Sequence, residues 1–201
     1  KRDVTAWREV PTLAGRHVTL RPMARADRVG LLLAFAGLRH LFHTTVPDDA
    51  SIDAWMDRIE NDVAAGRSLP FTVLDAEGRI AGATRFLRMS EGHRRVEIGG
   101  TLYAPRVQRT GLNTEAKYLL LHHAFDELQV NCVQIRTDFL NQASRRAIER
   151  LGARMDGVLR GHLILKGHMR DSVVYSILAH EWPGVRRNIE LLMARYEGEA
   201  A

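Results

Sequence analysis

The sequence is poor in residues that would cross-link a fold or place it in a membrane. Its 201 residues include one cysteine, Cys132, which excludes an intrachain disulfide. We therefore expect a cytoplasmic protein in which Cys132 is a buried thiol of an apolar segment. No apolar run approaches the roughly 18 residues of a membrane-spanning helix, so we expect no membrane partner. Residues 1–3 lack methionine and no apolar block follows them, so we expect no signal peptide.

The sequence also lacks a basic tract. The formal net charge is +5, but basic residues are dispersed among acidic ones, and the densest groups are arginine pairs at 94–95, 145–146 and 186–187. Aromatic residues make up only 6% and do not alternate with basic ones, as they do in proteins that bind single-stranded nucleic acid. We therefore expect no nucleic-acid partner. A cofactor with several phosphates accounts for the positive excess equally well.

No repeat, low-complexity tract or long linker divides the chain, so we predict one domain over residues 1–201, with a core at about 16–182. Hydrophobic patterns predict strands at 17–21, 71–74, 79–89, 96–103, 133–138, 158–165 and 172–178. They predict helices at 24–36, 52–65 (N-cap Ser51), 114–128, 141–151 (Gly152 at C′) and 183–196. This order predicts an α/β fold, a mixed sheet with helices on both faces.

The final helix carries an apolar stripe on one side, formed by Val185, Ile189, Leu192, Met193 and Tyr196. Such a stripe packs on its own domain or forms a contact between two subunits, and the pattern leaves both open.

A loop that leads from the strand at 96–103 into a helix is the most informative segment. It reads Gln108, Arg109, Thr110, Gly111, Leu112, Asn113 and Thr114. A helix N-terminus presents unpaired backbone N–H groups and a positive dipole end, which suits a pyrophosphate. Gly111 would allow close backbone approach, and Arg109 would add a charge-assisted contact. An ordinary strand-to-helix turn is the alternative.

Four segments, taken together, resemble the GNAT superfamily of N-acetyltransferases. Gln108 and Gly111 match its motif A, Q/R-x-x-G-x-G/A, while Asn113 replaces the usual small residue, and residues 111–117 look like the RimJ/RimL-type branch. Asn141 and Ser144 open a block N-x-x-S-x-x-x-x-x-x-L-G of the same families. Residues 17–23 and 170–175 look like the opening and last strands. The resemblance implies a GNAT-like mixed, mostly antiparallel central sheet.

The resemblance also implies a function and a set of binding residues. It implies acetyl-CoA as co-substrate, no metal, and transfer to a primary amine, either a protein N-terminus or a small molecule; relatives of this branch are often homodimers. The loop 108–114 would hold the pyrophosphate, and the main chain of Leu102 and Tyr103 would bind the pantetheine arm as an added strand. Asn141 would also contact that arm, although it could be only an N-cap. Ser144 would lie near the sulfur as the acid that protonates the thiolate.

Acetyl transfer to an amine needs a proton acceptor, since an ammonium has no lone pair. Glu97 is the candidate base because it lies eleven residues before Gln108, the spacing in the histone-acetyltransferase branch. A structural carboxylate, a water chain and His162 are the alternatives. His122 and His123 are adjacent on a helix and cannot share one face, so no metal cluster is expected. The acceptor cleft is predicted to be lined by the first two helices, near residues 40–46, and by the final hairpin. A non-catalytic acyl-CoA-binding regulator on the same fold is the rival function.

Overall fold

Eight strands form one sheet in the computed structural model, which describes residues 4–198. The strands are β1 (Leu13–Ala14), β2 (Val18–Pro22), β3 (Leu69–Asp75), β4 (Ile80–Ser90), β5 (Arg95–Tyr103), β6 (Cys132–Asp138), β7 (Arg154–Leu165) and β8 (His168–Leu178). Their order across the sheet is β1-β2-β3-β4-β5-β6-β8-β7. Every neighbouring pair is antiparallel except β5 and β6, which are parallel. The predicted mixed, mostly antiparallel sheet is confirmed. Residues 1–3, where we expected no signal peptide, lie outside the described part of the chain.

Five α-helices connect or flank these strands: α1 (Arg28–Phe35), α2 (Ile52–Ala64), α3 (Leu112–His122), α4 (Gln142–Leu151) and α5 (Trp182–Gly198). Asn141 caps α4 through a hydrogen bond from the Ser144 N–H, and Gly152 ends it at φ 105°, a conformation that favours glycine. Both features were predicted. None of the helices between residues 4 and 198 is long and apolar enough to cross a membrane.

Several elements differ from the predictions. The strand β1 was not predicted, and α1 is shorter than the predicted helix 24–36 because 3-10 turns flank it. The Asp27 carboxylate, which accepts a hydrogen bond from the Ala24 N–H, closes the first of these turns. Ser51 occupies the N-cap position of α2, but its hydroxyl bonds Asp48 rather than a helix N–H. The helix predicted at 114–128 begins earlier, at Leu112, and its last residues form a π turn.

Helices cover both faces of the sheet. Adjacent residues of a strand point to opposite faces. On β4, Phe86 lies 6.0 Å from the ring of His123 at the end of α3, whereas its neighbour Arg85 pairs with Asp62 of α2. On β8, the Tyr175 hydroxyl bonds Glu149 of α4. Thus α3 and α4 cover one face, and α2 covers the other.

The C-terminal helix α5 packs on its own domain. Val185, Ile189 and Leu192 of its apolar stripe are buried. Val185 also lies 3.2 Å from the position that a Cβ would occupy at Gly152, so α5 packs closely against the C-terminal end of α4. The stripe therefore contributes to the core of this chain.

The strands β5 and β6 separate at the centre of the sheet. They pair only from Arg95–Cys132 to Ile98–Ile135, although both continue beyond those residues. An irregularity in the β4–β5 register coincides with Gly100, whose φ of 59° favours glycine. The divergence leaves a splay bounded by the last residues of β5 on one side and of β6 on the other.

Candidate active site

The loop between β5 and α3 folds back on the end of β5. The Gln108 amide donates to the Tyr103 carbonyl at 3.0 Å, and the Thr110 hydroxyl donates to the Val107 carbonyl at 2.7 Å. Between them Arg109 has a φ of 61°, which is uncommon for a side chain other than glycine and is found at constrained functional loops. These contacts fix the predicted anion-binding loop in one conformation.

The N-terminus of α3 presents backbone N–H groups beside this loop. The first helical hydrogen bond runs from the Glu115 N–H to the Gly111 carbonyl at 3.0 Å. Leu112 N–H reaches only the Thr110 hydroxyl, at 3.3 Å, and the N–H groups of Asn113 and Thr114 have no protein acceptor within residues 4–198. Unpaired N–H groups at a positive dipole end form a site for a phosphate.

Gly111 itself faces protein rather than open space. A Cβ at this position would lie 3.3 Å from Tyr196 of α5 and 3.4 Å from His17. The missing side chain therefore makes room for these two residues, while the predicted pyrophosphate contacts are left to the N–H groups. Arg150 of α4 also reaches this region, donating to the Thr114 hydroxyl at 2.9 Å.

The predicted pantetheine contacts lie on both sides of the splay. Leu102 is buried, and the Tyr103 carbonyl is already occupied by Gln108. On the β6 side, Asn141 begins α4, and its amide nitrogen lies 3.4 Å from Nδ1 of His43. The Ser144 hydroxyl makes no hydrogen bond with the described residues, which leaves it available to a ligand.

Glu97, the predicted base, is buried between two arginines. Its Oε1 accepts a hydrogen bond from Arg88 at 2.7 Å, and its Oε2 lies 3.2 Å from Nε of Arg136 without hydrogen-bond alignment. The side chain is 4% exposed, which leaves little of it open to contact with an acceptor amine. These contacts favour the alternative of a structural carboxylate.

A second polar group lies on the hairpin β7–β8, on the same face as Glu97. The buried Ser172 hydroxyl is 2.8 Å from Nδ1 of His162 and 3.0 Å from Nε of Arg170. Burial lowers the pKa of His162, and Arg136, Arg88 and Arg170 lower it further, which keeps the imidazole neutral at pH 7. Ser172 and Arg170 were not among the predicted site residues.

A neighbouring polar pair links the hairpin to residues 40–46. His168 lies 2.8 Å from Asp138, which ends β6, and the ring of His168 packs at 4.9 Å against Phe42. Burial lowers the pKa of His43. The segment predicted to line the acceptor cleft thus contacts both the hairpin and the start of α4.

Lys117 is a buried amine beneath the splay. It is 6% exposed and lies 3.3 Å from the Thr101 hydroxyl and 5.8 Å from the centre of the Tyr103 ring. Burial lowers its pKa to about 8. Cys132, in contrast, is half-buried, and burial raises the pKa of its thiol. Residues 4–198 contain no group of three or more side chains suited to hold a metal ion.

The fold thus combines a splay between two diverging strands with unpaired N–H groups at the N-terminus of α3, within the described residues. The profile of the family described as "Acetyltransferase (GNAT) domain" matches residues 17–154. The chain therefore belongs to the GNAT acetyltransferase family.

Individual proteins agree with this assignment. One relative is YdaF of Bacillus subtilis (strain 168), which is named as a proposed ribosomal N-acetyltransferase. It is 33% identical to this chain over 108 residues, which cover 54% of this chain and 58% of YdaF. The chain thus spans little more than half of that relative's length. A GCN5-related N-acetyltransferase from Brucella melitensis has a TM-score of 0.80 at 29% identity, covering 92% of this chain and 86% of that one. A proposed acetyltransferase from T. thermophilus has a TM-score of 0.78 at 34% identity, covering 90% of this chain and 95% of that one.

Proposed function

We propose that the protein transfers the acetyl group of acetyl-CoA directly to a primary amine. The observation that carries this proposal is the pairing of an anion-binding helix N-terminus with the splay between β5 and β6. The N–H groups at Asn113 and Thr114 would hold the pyrophosphate, and the unpaired edges of the splay would bind the pantetheine arm as an added strand. GNAT enzymes use acetyl-CoA as co-substrate, and the family assignment supports the same donor here.

We propose that the acceptor amine approaches from the face opposite α3, where His162 and Glu97 lie, and gives its proton to a base there. The resemblance proposes Glu97, but the contacts of His162 make it the stronger candidate. When Nδ1–H donates to the Ser172 hydroxyl, Nε2 is unprotonated and able to accept a proton. In this account Glu97 is a positioning residue that holds Arg88 and Arg136 in place.

Ser144 is the proposed acid for the departing thiolate. Its N–H is fixed by Asn141 while its hydroxyl stays unbonded within the described chain. A thiol has a pKa of about 8.5, so water can replace Ser144 in protonating the thiolate, at some loss of rate.

The acceptor class follows less directly from the relatives. The resemblance to the RimJ/RimL-type branch favours a protein N-terminus as acceptor, and the name of YdaF, a proposed ribosomal N-acetyltransferase, supports a ribosomal acceptor. The cleft predicted between residues 40–46 and the β7–β8 hairpin supports a small amine equally well, because Phe42 packs on His168 and His43 lies beside Asn141 there. We further propose a cytoplasmic homodimer. The support is the hairpin, whose edge strand β7 exposes Ile164 by 71% while Met169 of β8 is 64% exposed.

The test is a library of primary amines, including peptides with free N-termini, assayed for release of free CoA. We expect at least one class of amine to give turnover well above the slow hydrolysis of acetyl-CoA. Calorimetry with acetyl-CoA runs in parallel. Tight binding without turnover on any amine would favour the rival function, a non-catalytic acyl-CoA-binding regulator, over the enzyme.

A further inference from the structure

Arginine side chains gather beside the splay on the face covered by α2. Arg85 and Arg88 come from β4, Arg136 from β6 and Arg170 from β8. Arg136 is the first residue of β6 beyond the part that pairs with β5. The group therefore lies where a chain threaded through the splay would emerge from the sheet.

Carboxylates balance this charge only in part. Arg88 and Arg136 share the single carboxylate of Glu97. Arg85 lies 3.4 Å from Asp62, which also pairs with Arg67. In both cases one carboxylate serves two guanidinium groups, so the face keeps a positive excess.

Arg170 has the least compensation of the group. Among residues 4–198 no carboxylate oxygen lies within 4.0 Å of its guanidinium, and the nearby Asp138 carboxylate bonds His168 instead. Within the described part of the chain, Nε is the only guanidinium nitrogen of Arg170 with a hydrogen bond, which it donates to Ser172. The side chain is half-buried, and that burial lowers its pKa, although a guanidinium stays charged at any ordinary pH. A half-buried charge with free terminal N–H groups is costly unless an anion pairs with it.

This guanidinium lies close to the proposed site of proton transfer. Arg170 and His162 contact the same Ser172 hydroxyl, so a group bound to Arg170 lies close to the imidazole of His162. The phosphates of the donor would bind at α3 on the opposite face, which keeps the two anion sites separate.

We propose that Arg170, supported by Arg136, binds a carboxylate or phosphate group carried by a small primary-amine acceptor. The proposal rests on the proposed acetyl transfer and narrows its acceptor class. The positive excess repels polyamines, and a neutral amine leaves Arg170 unpaired. A short acceptor with its amine near His162 and its anionic group at Arg170 satisfies both positions.

The experiment compares ligands that differ in one group. The full chain with CoA bound is titrated by calorimetry with N-acetyl-γ-aminobutyrate, N-acetylated aminopropyl phosphate, N-butylacetamide and N-acetylputrescine. At least one anionic ligand should bind about tenfold or more tightly than N-butylacetamide, the size of one charge-assisted contact. The carboxylate and phosphate arms show which anion is preferred. The four parent amines are then compared by kcat/KM.

In Arg170→Met, the ratio of the affinity for the anionic ligand to that for N-butylacetamide should fall close to one. Arg187 is an exposed arginine of α5, and Arg187→Met should leave this ratio unchanged. The wild-type comparison stands even if Arg170→Met does not fold. Equal or tighter binding of N-butylacetamide or N-acetylputrescine overturns the anion site, whatever the turnover. An anion preference in binding without turnover of any amine supports the site and refutes the acetyltransferase proposal. Turnover without an anion preference supports the acetyltransferase proposal and refutes the anion site.

Discussion

Nδ1 of His162 lies 2.8 Å from the hydroxyl oxygen of Ser172. This contact joins a neutral imidazole to a buried hydroxyl on the face where an acceptor amine would approach. Glu97, the carboxylate proposed from the sequence, lies on the same face but is enclosed by Arg88 and Arg136. His162 and Glu97 are therefore the two candidates for the base, and substitution of each side chain distinguishes them.

We expect His162→Gln to keep acetyl-CoA affinity and to lower turnover by roughly 10²–10⁴-fold, the usual contribution of a general base. The loss should shrink at high pH, where more of the acceptor amine is already neutral. Since burial and the neighbouring arginines lower the pKa of His162, wild-type activity should be lost only below the ordinary histidine value of 6.5. The measurement is the pH dependence of kcat/KM for both proteins.

Glu97→Gln should act mainly on stability, because it removes the charge that compensates two guanidinium groups. We expect a lower melting temperature and no selective recovery of turnover at high pH. Glu77→Gln, at the exposed turn before β4, is the matched control. If Glu97→Gln instead loses turnover by roughly 10²-fold or more with recovery at high pH, the base is Glu97, as the resemblance to the family proposes.

Substitutions at Gly111 test the loop that precedes α3. Gly111→Asp and Gly111→Asn have the same shape and both crowd Tyr196 and His17, but only Asp places a negative charge beside the N–H groups. We expect Gly111→Asp to abolish detectable acetyl-CoA binding. Its affinity for acetyl-CoA should be lower than that of Gly111→Asn by at least about tenfold, or 1.4 kcal/mol. Cys132→Ala should bind as wild type does. Calorimetric affinities that are equal for Asp and Asn would show that no phosphate binds there.

Lys117 gives the stability of the protein a defined pH dependence. Burial lowers its pKa from 10.5 to about 8, so the unfolded chain binds the proton more tightly. The destabilisation is therefore complete below pH 8 and fades as the pH rises to about 10.5. Lys117→Met should raise the free energy of unfolding at pH 7 by about 3 kcal/mol. Denaturant titrations at several pH values should show that this gain disappears towards pH 10.5. A gain that is independent of pH would mean that the pKa of Lys117 is the same in the folded and the unfolded protein, so that burial does not lower it.

The homodimer is tested by mass in solution. Ile164 on β7 and Leu191 on α5 are similarly exposed, by 71% and 69%, but only Ile164 belongs to the edge strand. Light scattering at micromolar concentration should give a dimer for wild type and for Leu191→Asp, and a monomer for Ile164→Asp. A monomeric wild type would refute the dimer.

Local features of the fold were predictable because they depend on a few neighbouring residues. Gly152 ends α4 because a left-handed residue is needed there, and Asn141 begins it because its side chain reaches the Ser144 N–H. The candidate anion-binding loop was recognisable for the same reason, since strand, loop and helix are consecutive. Gly111 was singled out for close approach of a ligand, but its neighbour Tyr196 comes from a helix about 85 residues later and could not be inferred.

The polar arrangement around the splay depends on contacts between distant strands. Arg88, Glu97 and Arg136 come from three strands, and their alignment is set by a shift in the β4–β5 register between Leu87 and Ser90. The contact of His162 with Ser172 similarly depends on the irregular register between Leu159 and Leu163. Alternation along one strand fixes which face a residue points to, but it does not fix such shifts.

Transfer of an acetyl group from acetyl-CoA to an amine can be followed with a deuterated acetyl donor. The protein is incubated with labelled acetyl-CoA and the amine panel, and free CoA and N-acetylated products are quantified by mass spectrometry. We expect equal amounts of CoA and of labelled product from at least one amine. Release of CoA together with labelled acetate, with no acetylated amine at any pH, would contradict acetyl transfer to an amine.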